Sequence, residues 1–214
     1  MSAQQGTGQL LADLGSMRGV WRDRLRAFAP DGVELAEDLH GGVPGAFPYE
    51  NLVYVDLDAD VAAGTGRYIQ TNVVLSGREF HQRTFTATVA DGQLRFDRLG
   101  PDAPVHVGIS GGPGRIWFVA GSTTAPGLAR YAEPDLIRVE GDRRWRHTVL
   151  WRNGELARVL DVEGERLATS TGSVHALDPR DDGHPVHGER SVTTNYAAGQ
   201  SARDATGQTA TEIR

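Results

Sequence analysis

Apolar and polar positions alternate along most of this chain with a period of two, the spacing of strands whose two faces meet different surroundings. Trp21, Asp23, Leu25 and Ala27 share one face of a first strand, and Arg22, Arg24 and Arg26 share the other. Three arginines at period two mark a solvated side, so Trp21 and Leu25 are expected to point inward. Just upstream, Leu10, Leu11 and Leu14 recur at helical spacing and predict a short apolar helix.

The pattern continues as a meander. Pro30-Asp31-Gly32 makes a turn, residues 33–39 return as a second strand, and residues 41–45 form a loop. Residues 51–57 read as a strand with Leu52 and Tyr54 on one face and Val53, Val55 and Leu57 on the other, and residues 66–75 are rich in β formers. Residues 78–89 form a long alternating strand that ends at Asp91-Gly92, where the positive φ of a tight hairpin is easily reached. Further strands are predicted over 93–99, 105–109, 115–120, 135–140, 142–151, 156–162 and 166–174, with Asn153-Gly154 as a second hairpin signal. About nine or ten short strands joined without helical crossovers predict an all-β, up-and-down antiparallel barrel, since closure removes the two edges an open sheet would expose. A barrel of this strand number is wide enough for one small ligand.

The polar stretch after residue 177 carries few large apolar side chains to offset the entropy of ordering it. The expected organisation is therefore a barrel over residues 1–177 and a flexible polar tail over 178–214. The composition sharpens this picture mainly by exclusion. The chain of 214 residues has a net charge of -6, which disfavours nucleic acid and anionic membranes as partners. It contains no cysteine, and all 22 of its basic residues are arginine. Thiol nucleophiles, cysteine–metal sites and lysine Schiff bases are thereby excluded. The start has no basic segment followed by an apolar one, and no run approaches the length of a membrane span, so a cytoplasmic protein is expected. His184 and His187 in the tail make a poor metal site. No metal, no cofactor and a monomer or homodimer are the resulting expectations.

A short helix followed by Gly19-Val20-Trp21 at the start of the first strand of an all-β chain resembles the lipocalin/calycin superfamily. The absence of disulfides and of a secretion signal points to its intracellular bacterial, actinobacterial-type members. The resemblance implies that Trp21 plugs the closed end of a ligand-holding barrel. It also implies that an arginine of a late strand packs on that ring, with Arg152, Arg158 and Arg166 as candidates.

The remaining candidates come from strand faces. On residues 79–89, His81, Arg83, Phe85, Ala87 and Val89 share the face opposite a row of threonines, which places His81 and Arg83 either in the lumen or at its wet rim. In the lumen, His81 could act as a general acid or base and Arg83 could anchor a carboxylate, enolate or phenolate. Tyr68 is a candidate lumen hydroxyl, and Asp23 either pairs with an arginine or orients a ligand. On residues 142–151, Arg144, Arg146 and Arg152 suggest the wet face, which would turn Trp145, His147 and Trp151 inward. With Trp21, Phe85 and Trp117 these are either core filling or the walls of an apolar cavity.

Two functions fit. One, implied by the resemblance to actinobacterial barrels of this kind, some of which catalyse ring closure, is a cofactor-independent cyclase or isomerase, in the manner of a Diels-Alderase, acting on a polyketide- or terpenoid-type intermediate with His81, Arg83 and Tyr68 as its polar groups. The other is a non-catalytic carrier of a hydrophobic ligand. Truncation at about residue 180 is expected to leave the melting temperature nearly unchanged, and a thermal melt of the shortened chain checks this.

Overall fold

The computed structural model describes residues 3–40, 43–97, 106–120, 131–152 and 155–170. It contains one helix, α1 (Ala3–Met17), and twelve strands. These are β1 (Gly19–Phe28), β2 (Glu37–His40), β3 (Val43–Asp60), β4 (Thr65–Arg78), β5 (Gln82–Ala90), β6 (Gln93–Phe96), β7 (His106–Ser110), β8 (Arg115–Ala120), β9 (Tyr131–Ala132), β10 (Asp135–Glu140), β11 (Arg143–Arg152) and β12 (Glu155–Ala168). Ten of them close into an antiparallel barrel in the order β1-β3-β4-β5-β6-β7-β8-β10-β11-β12, and β12 returns to β1. The first strand closes the ring: Trp21 lies opposite Arg166 on one side and Val53 on the other. β2 pairs with the first half of β3, and β9 pairs with the end of β11, outside the ring.

One end of the barrel is sealed. The apolar face of α1 (Leu10, Leu11, Leu14 and Met17) joins Trp21, Val53, Val55, Tyr68, Leu94, Ile116 and Phe118 in the main core cluster. Asp13, only 2% exposed, fixes the helix there. Its carboxylate accepts hydrogen bonds from Gln9, from the Ser110 hydroxyl at 2.5 Å and from the Gly114 amide at 2.9 Å, so it ties α1 to the β7–β8 turn. Trp21 is fully buried and donates its indole N–H to the Met17 carbonyl at 2.7 Å, which satisfies the helix's last turn. A second apolar cluster (Leu25, Ala27, Phe47, Tyr49, Leu160 and Val162) lies towards the other end, the mouth.

Several expected boundaries shift. β3 is one strand of 18 residues that runs through the expected loop at 43–45, because its first half finds a partner in β2. Residues 33–39 do not form a full second strand: Glu34 makes a single bridge to Phe28, and only Glu37–His40 is extended and paired. The expected strand over 78–89 breaks at residues 79–81, since β4 carries on to Arg78 before the chain reverses. β12 passes straight through Gly164 where a break between two strands was expected. Gly164 is a point of close approach: a Cβ there would stand 2.4 Å from Asp23 Oδ1 and 2.6 Å from Arg144 Cγ. The two-residue turn at Asp91-Gly92 forms as expected, with Asp91 at a φ of 52°. The Asn153-Gly154 turn and the 178–214 tail lie outside the described residues.

The Asp13 contacts generate a stability prediction. Asp13→Ala leaves the part-buried Ser110 hydroxyl and Gly114 amide without their acceptor, and it is expected to cost about 1–3 kcal/mol, measured by denaturant unfolding against wild type.

Candidate functional site

Alternation on each strand decides what enters the barrel. At the sealed end the Trp21 ring lies between two guanidinium groups, with Arg166 Cζ 4.4 Å and Arg144 Cζ 4.8 Å from its centroid. Of the late-strand arginines considered from the sequence, Arg166 makes this contact. It also donates to the Ser16, Arg18 and Gly141 carbonyls, gathering three chain segments beneath the ring. Burial depresses the Arg166 pKa, with Asp142 opposing and Arg144 assisting. Arg144 forms a two-pronged ion pair with Asp23, Nε to Oδ1 at 2.9 Å and Nη2 to Oδ2 at 2.5 Å, with both side chains at least nine-tenths buried. Asp23 therefore faces the interior, and its carboxylate is occupied there.

Above this floor the inner face of β4 carries a polar ladder. Tyr68, fully buried, donates its hydroxyl to Gln70 Oε1 at 2.7 Å, and Gln70 donates to Asn72 Oδ1 at 2.9 Å. Burial pushes the Tyr68 pKa well up, so the phenol stays protonated and acts as a donor. Gln70 and Asn72 stand opposite Phe85 and Arg83 of β5. Phe85, Phe96 and Phe118 form an aromatic wall, with ring centroids 6.5 and 5.6 Å apart in sequence, and Phe96 also meets the Tyr68 ring edge-on at 6.2 Å. Arg83 lies over the Phe85 ring at 4.7 Å.

The mouth-side half of the lumen also holds ionisable groups. His81, half-buried, has its pKa lowered by burial and by Arg83. Two further groups there went unnoticed in the sequence. His106 lies on the inner face of β7, two residues from Gly108, which packs against Phe118 and Leu94 of the core. Its pKa is lowered by burial and by Arg83 and Arg146, with Asp135 opposing. Asp135 accepts from Arg146 Nε at 2.5 Å and from the Thr148 hydroxyl at 3.1 Å. Burial pushes the Asp135 carboxyl up against the pull of Arg146, while Asp135 and Glu133 outweigh burial at Arg146 and keep it cationic. The signal for Asp135 was present in its alternation with Ile137 and Val139, which puts a carboxylate on an otherwise apolar face.

The expected facing of residues 142–151 is inverted. Arg144, Thr148 and Leu150 are buried, whereas Trp145, His147 and Trp151 lie on the outer face. His147 is exposed and bonds Asp161 at 2.6 Å, Trp145 packs beneath Arg138 at 5.1 Å, and Trp151 is 41% exposed. Trp117 is likewise outside at 43% exposure, because Ile116 and Phe118 take the inner face of β8. The physical reason is that buried carboxylates at Asp23 and Asp135 neutralise interior arginines, so arginine no longer marks the wet side. Of the ten candidate residues, Tyr68, Arg83, Phe85, Asp23 and Trp21 lie on inner strand faces, His81 is part-buried in the unpaired segment just before β5, and the other four lie on the outside.

At the mouth, the β2 segment folds across the barrel end. Arg158, buried on the inner side of β12, donates to the Asp38 carboxylate and to the Leu39 carbonyl. A cleft of about 220 Å³ opens beside it, lined by Leu35, Glu37, Asp38, Leu150, Ala157 and Arg158. Among the described residues no cluster of three metal-ligating side chains occurs, and no helix is long and apolar enough to cross a membrane.

No protein-family profile matches the sequence, and no curated protein matches it significantly. Among solved structures the chain is similar to a protein of unknown function of the DUF3598 family from Nostoc punctiforme. That match has a TM-score of 0.51 and 18% identity over 72% of this chain and 49% of that one. It is also similar to an S-type phycobiliprotein lyase from Guillardia theta, with a TM-score of 0.49 and 9% identity over 78% of this chain and 98% of that one. The chain spans about half the length of the Nostoc structure it matches. At 18% identity the likeness to the Nostoc structure shows a shared fold.

The depressed pKa of His106 sets a pH dependence. Below the ordinary value of 6.5 the unfolded chain takes up the His106 proton more readily than the folded one, so this group's contribution to stability is full above 6.5 and declines as the pH falls through that value. Melting temperatures measured at pH 7.5 and 5.5 are expected to differ more for wild type than for His106→Gln.

Proposed function

We propose that the mouth-side half of the barrel binds a small, largely apolar molecule bearing one acidic or hydrogen-bonding group. The observation that carries this reading is that side chains facing inward there keep accessible surface. Gln70, Asn72, His81, Arg83, Phe85 and His106 are only partly buried, and Arg146 keeps 26% of its side-chain surface open although desolvation acts on its charge. The opposite end is packed dry. Inward-facing groups with open surface line a hollow, and this one has an aromatic wall on one side and polar groups on the other, the composition of a small-molecule site.

The narrower reading is a cofactor-independent cyclase or isomerase acting on a polyketide- or terpenoid-type intermediate in the cytoplasm. Its support is chemical: His81 stays neutral near pH 7 and can accept a proton, and Arg83 can stabilise negative charge that develops on an oxygen. Tyr68, buried and committed to Gln70, acts in this reading by orienting the Gln70–Asn72 ladder and does not touch substrate. The carrier reading is favoured by a separate observation. Tyr68, a candidate for catalysis, and Asp23, a candidate for orienting a ligand, are already consumed by internal partners.

Binding is tested with the neutral fluorophore N-phenyl-1-naphthylamine. Asn72→Trp, which fills the hollow from β4, is expected to weaken binding more than tenfold, and Trp117→Ser on the outer wall to change it less than twofold. The reverse pattern would move the site to the exterior. A ligand that co-purifies in native mass spectrometry then separates the two functions: His81→Ala should bind it as wild type does and lose turnover if the barrel is catalytic.

A further inference from the structure

Arg78, at the mouth end of β4, is a part-buried cation in an unusual position. Its Nη1 donates to the main-chain carbonyls of Asp38, at 2.6 Å, and of Val43, which ties the β2–β3 hairpin to the barrel. Its Cζ lies 4.3 Å from the Phe47 ring centroid and 4.4 Å from that of Tyr49. The backbone is shaped around it: a Cβ on Gly45 would stand 2.6 Å from Arg78 Cγ. Yet Nε and Nη2 are both buried and have no hydrogen-bond partner. The aromatic rings offset the positive charge, but a ring face is a weaker acceptor than oxygen for these two N–H groups.

The two atoms left over are informative. Nε and Nη2 together form one edge of the guanidinium, the edge whose paired N–H groups match the two oxygens of a carboxylate. At two other arginines that same edge is filled by a carboxylate. Arg144 turns it to Asp23 at 2.9 and 2.5 Å, and Arg26 turns it to Glu34 at 2.9 and 2.7 Å. Burial lowers the Arg78 pKa, as it does for a cation that lacks a counter-ion.

We infer that Arg78 is the receptor for the carboxylate of a ligand held in the barrel. The Nε and Nη2 edge takes the two carboxylate oxygens, and the Phe47 and Tyr49 rings hold the guanidinium in place. The β2 and β3 segments that Arg78 binds through Nη1 lie against the same group at the mouth. The inference rests on the lumen-binding reading and narrows its ligand to an amphipathic acid whose charged end stays at the mouth.

The probes are cis-parinaric acid and its methyl ester, which share a polyene chain and differ in charge. Wild type is expected to bind the acid at least tenfold more tightly than the ester, and Arg78→Gln to lower that preference to less than twofold by weakening the acid alone. Equal binding of acid and ester by wild type, or an undiminished preference in the variant, overturns the assignment while leaving the lumen reading in place. Failure of both probes to bind overturns the two together. Should Arg78→Gln not fold, the Arg78 Nε–H resonance of wild type decides the matter. It should shift on titration with the acid and stay fixed with the ester, and a shift with neither, although the acid binds, overturns the proposal.

Discussion

The buried contact among Trp21, Arg144 and Asp23 is what the rest of the barrel is arranged around. Two ionised groups this deep are stable only because each satisfies the other through two hydrogen bonds, and because the indole face offsets the guanidinium charge from above. Their geometry dictates several other features. β12 must carry glycine at 164 to let the pair through, and β11 must present its arginines inward. Arg166 must close the far side of the ring while holding the last turn of α1. Removing Arg144 would strand a carboxylate in a dry interior, an error that costs about 3–5 kcal/mol for a buried pair.

The same device recurs at a higher level. Asp135 with Arg146 repeats the logic of Asp23 with Arg144 on the neighbouring strand, but with surface left open on the arginine. The sealed pair is part of the floor, whereas the accessible pair is part of a wall. This difference in exposure, rather than any difference in residue type, separates scaffold from candidate site in this barrel.

Much of the architecture was legible from alternation alone. Trp21, Asp23 and Leu25 face inward as their period predicts, and so do Arg83, Phe85, Ala87 and Val89 of β5, because the threonines opposite them are a dependable outer face. β11 defeated the same reasoning. A row of arginines reads as solvated unless the acidic partners on β1 and β10 are known, and the first of them is distant in sequence: Asp23 and Arg144 are 121 residues apart. The long β3 was hidden for a related reason, since its first residues, 43–46, pair with β2, which is itself short and not marked by the pattern. His106 and Arg78 were missed because neither sits in a recognisable motif. Their significance comes from what surrounds them, which no local pattern encodes.

The plug formed by α1 has a kinetic consequence. A vessel stoppered at its base has a single doorway, so a guest departs by the route it arrived, and arrival of the next must wait for that departure. On the ligand reading proposed above, the leading end would meet oily aromatic rings while the trailing end rested beside cations, and exchange would be paced at the rim, beside β2.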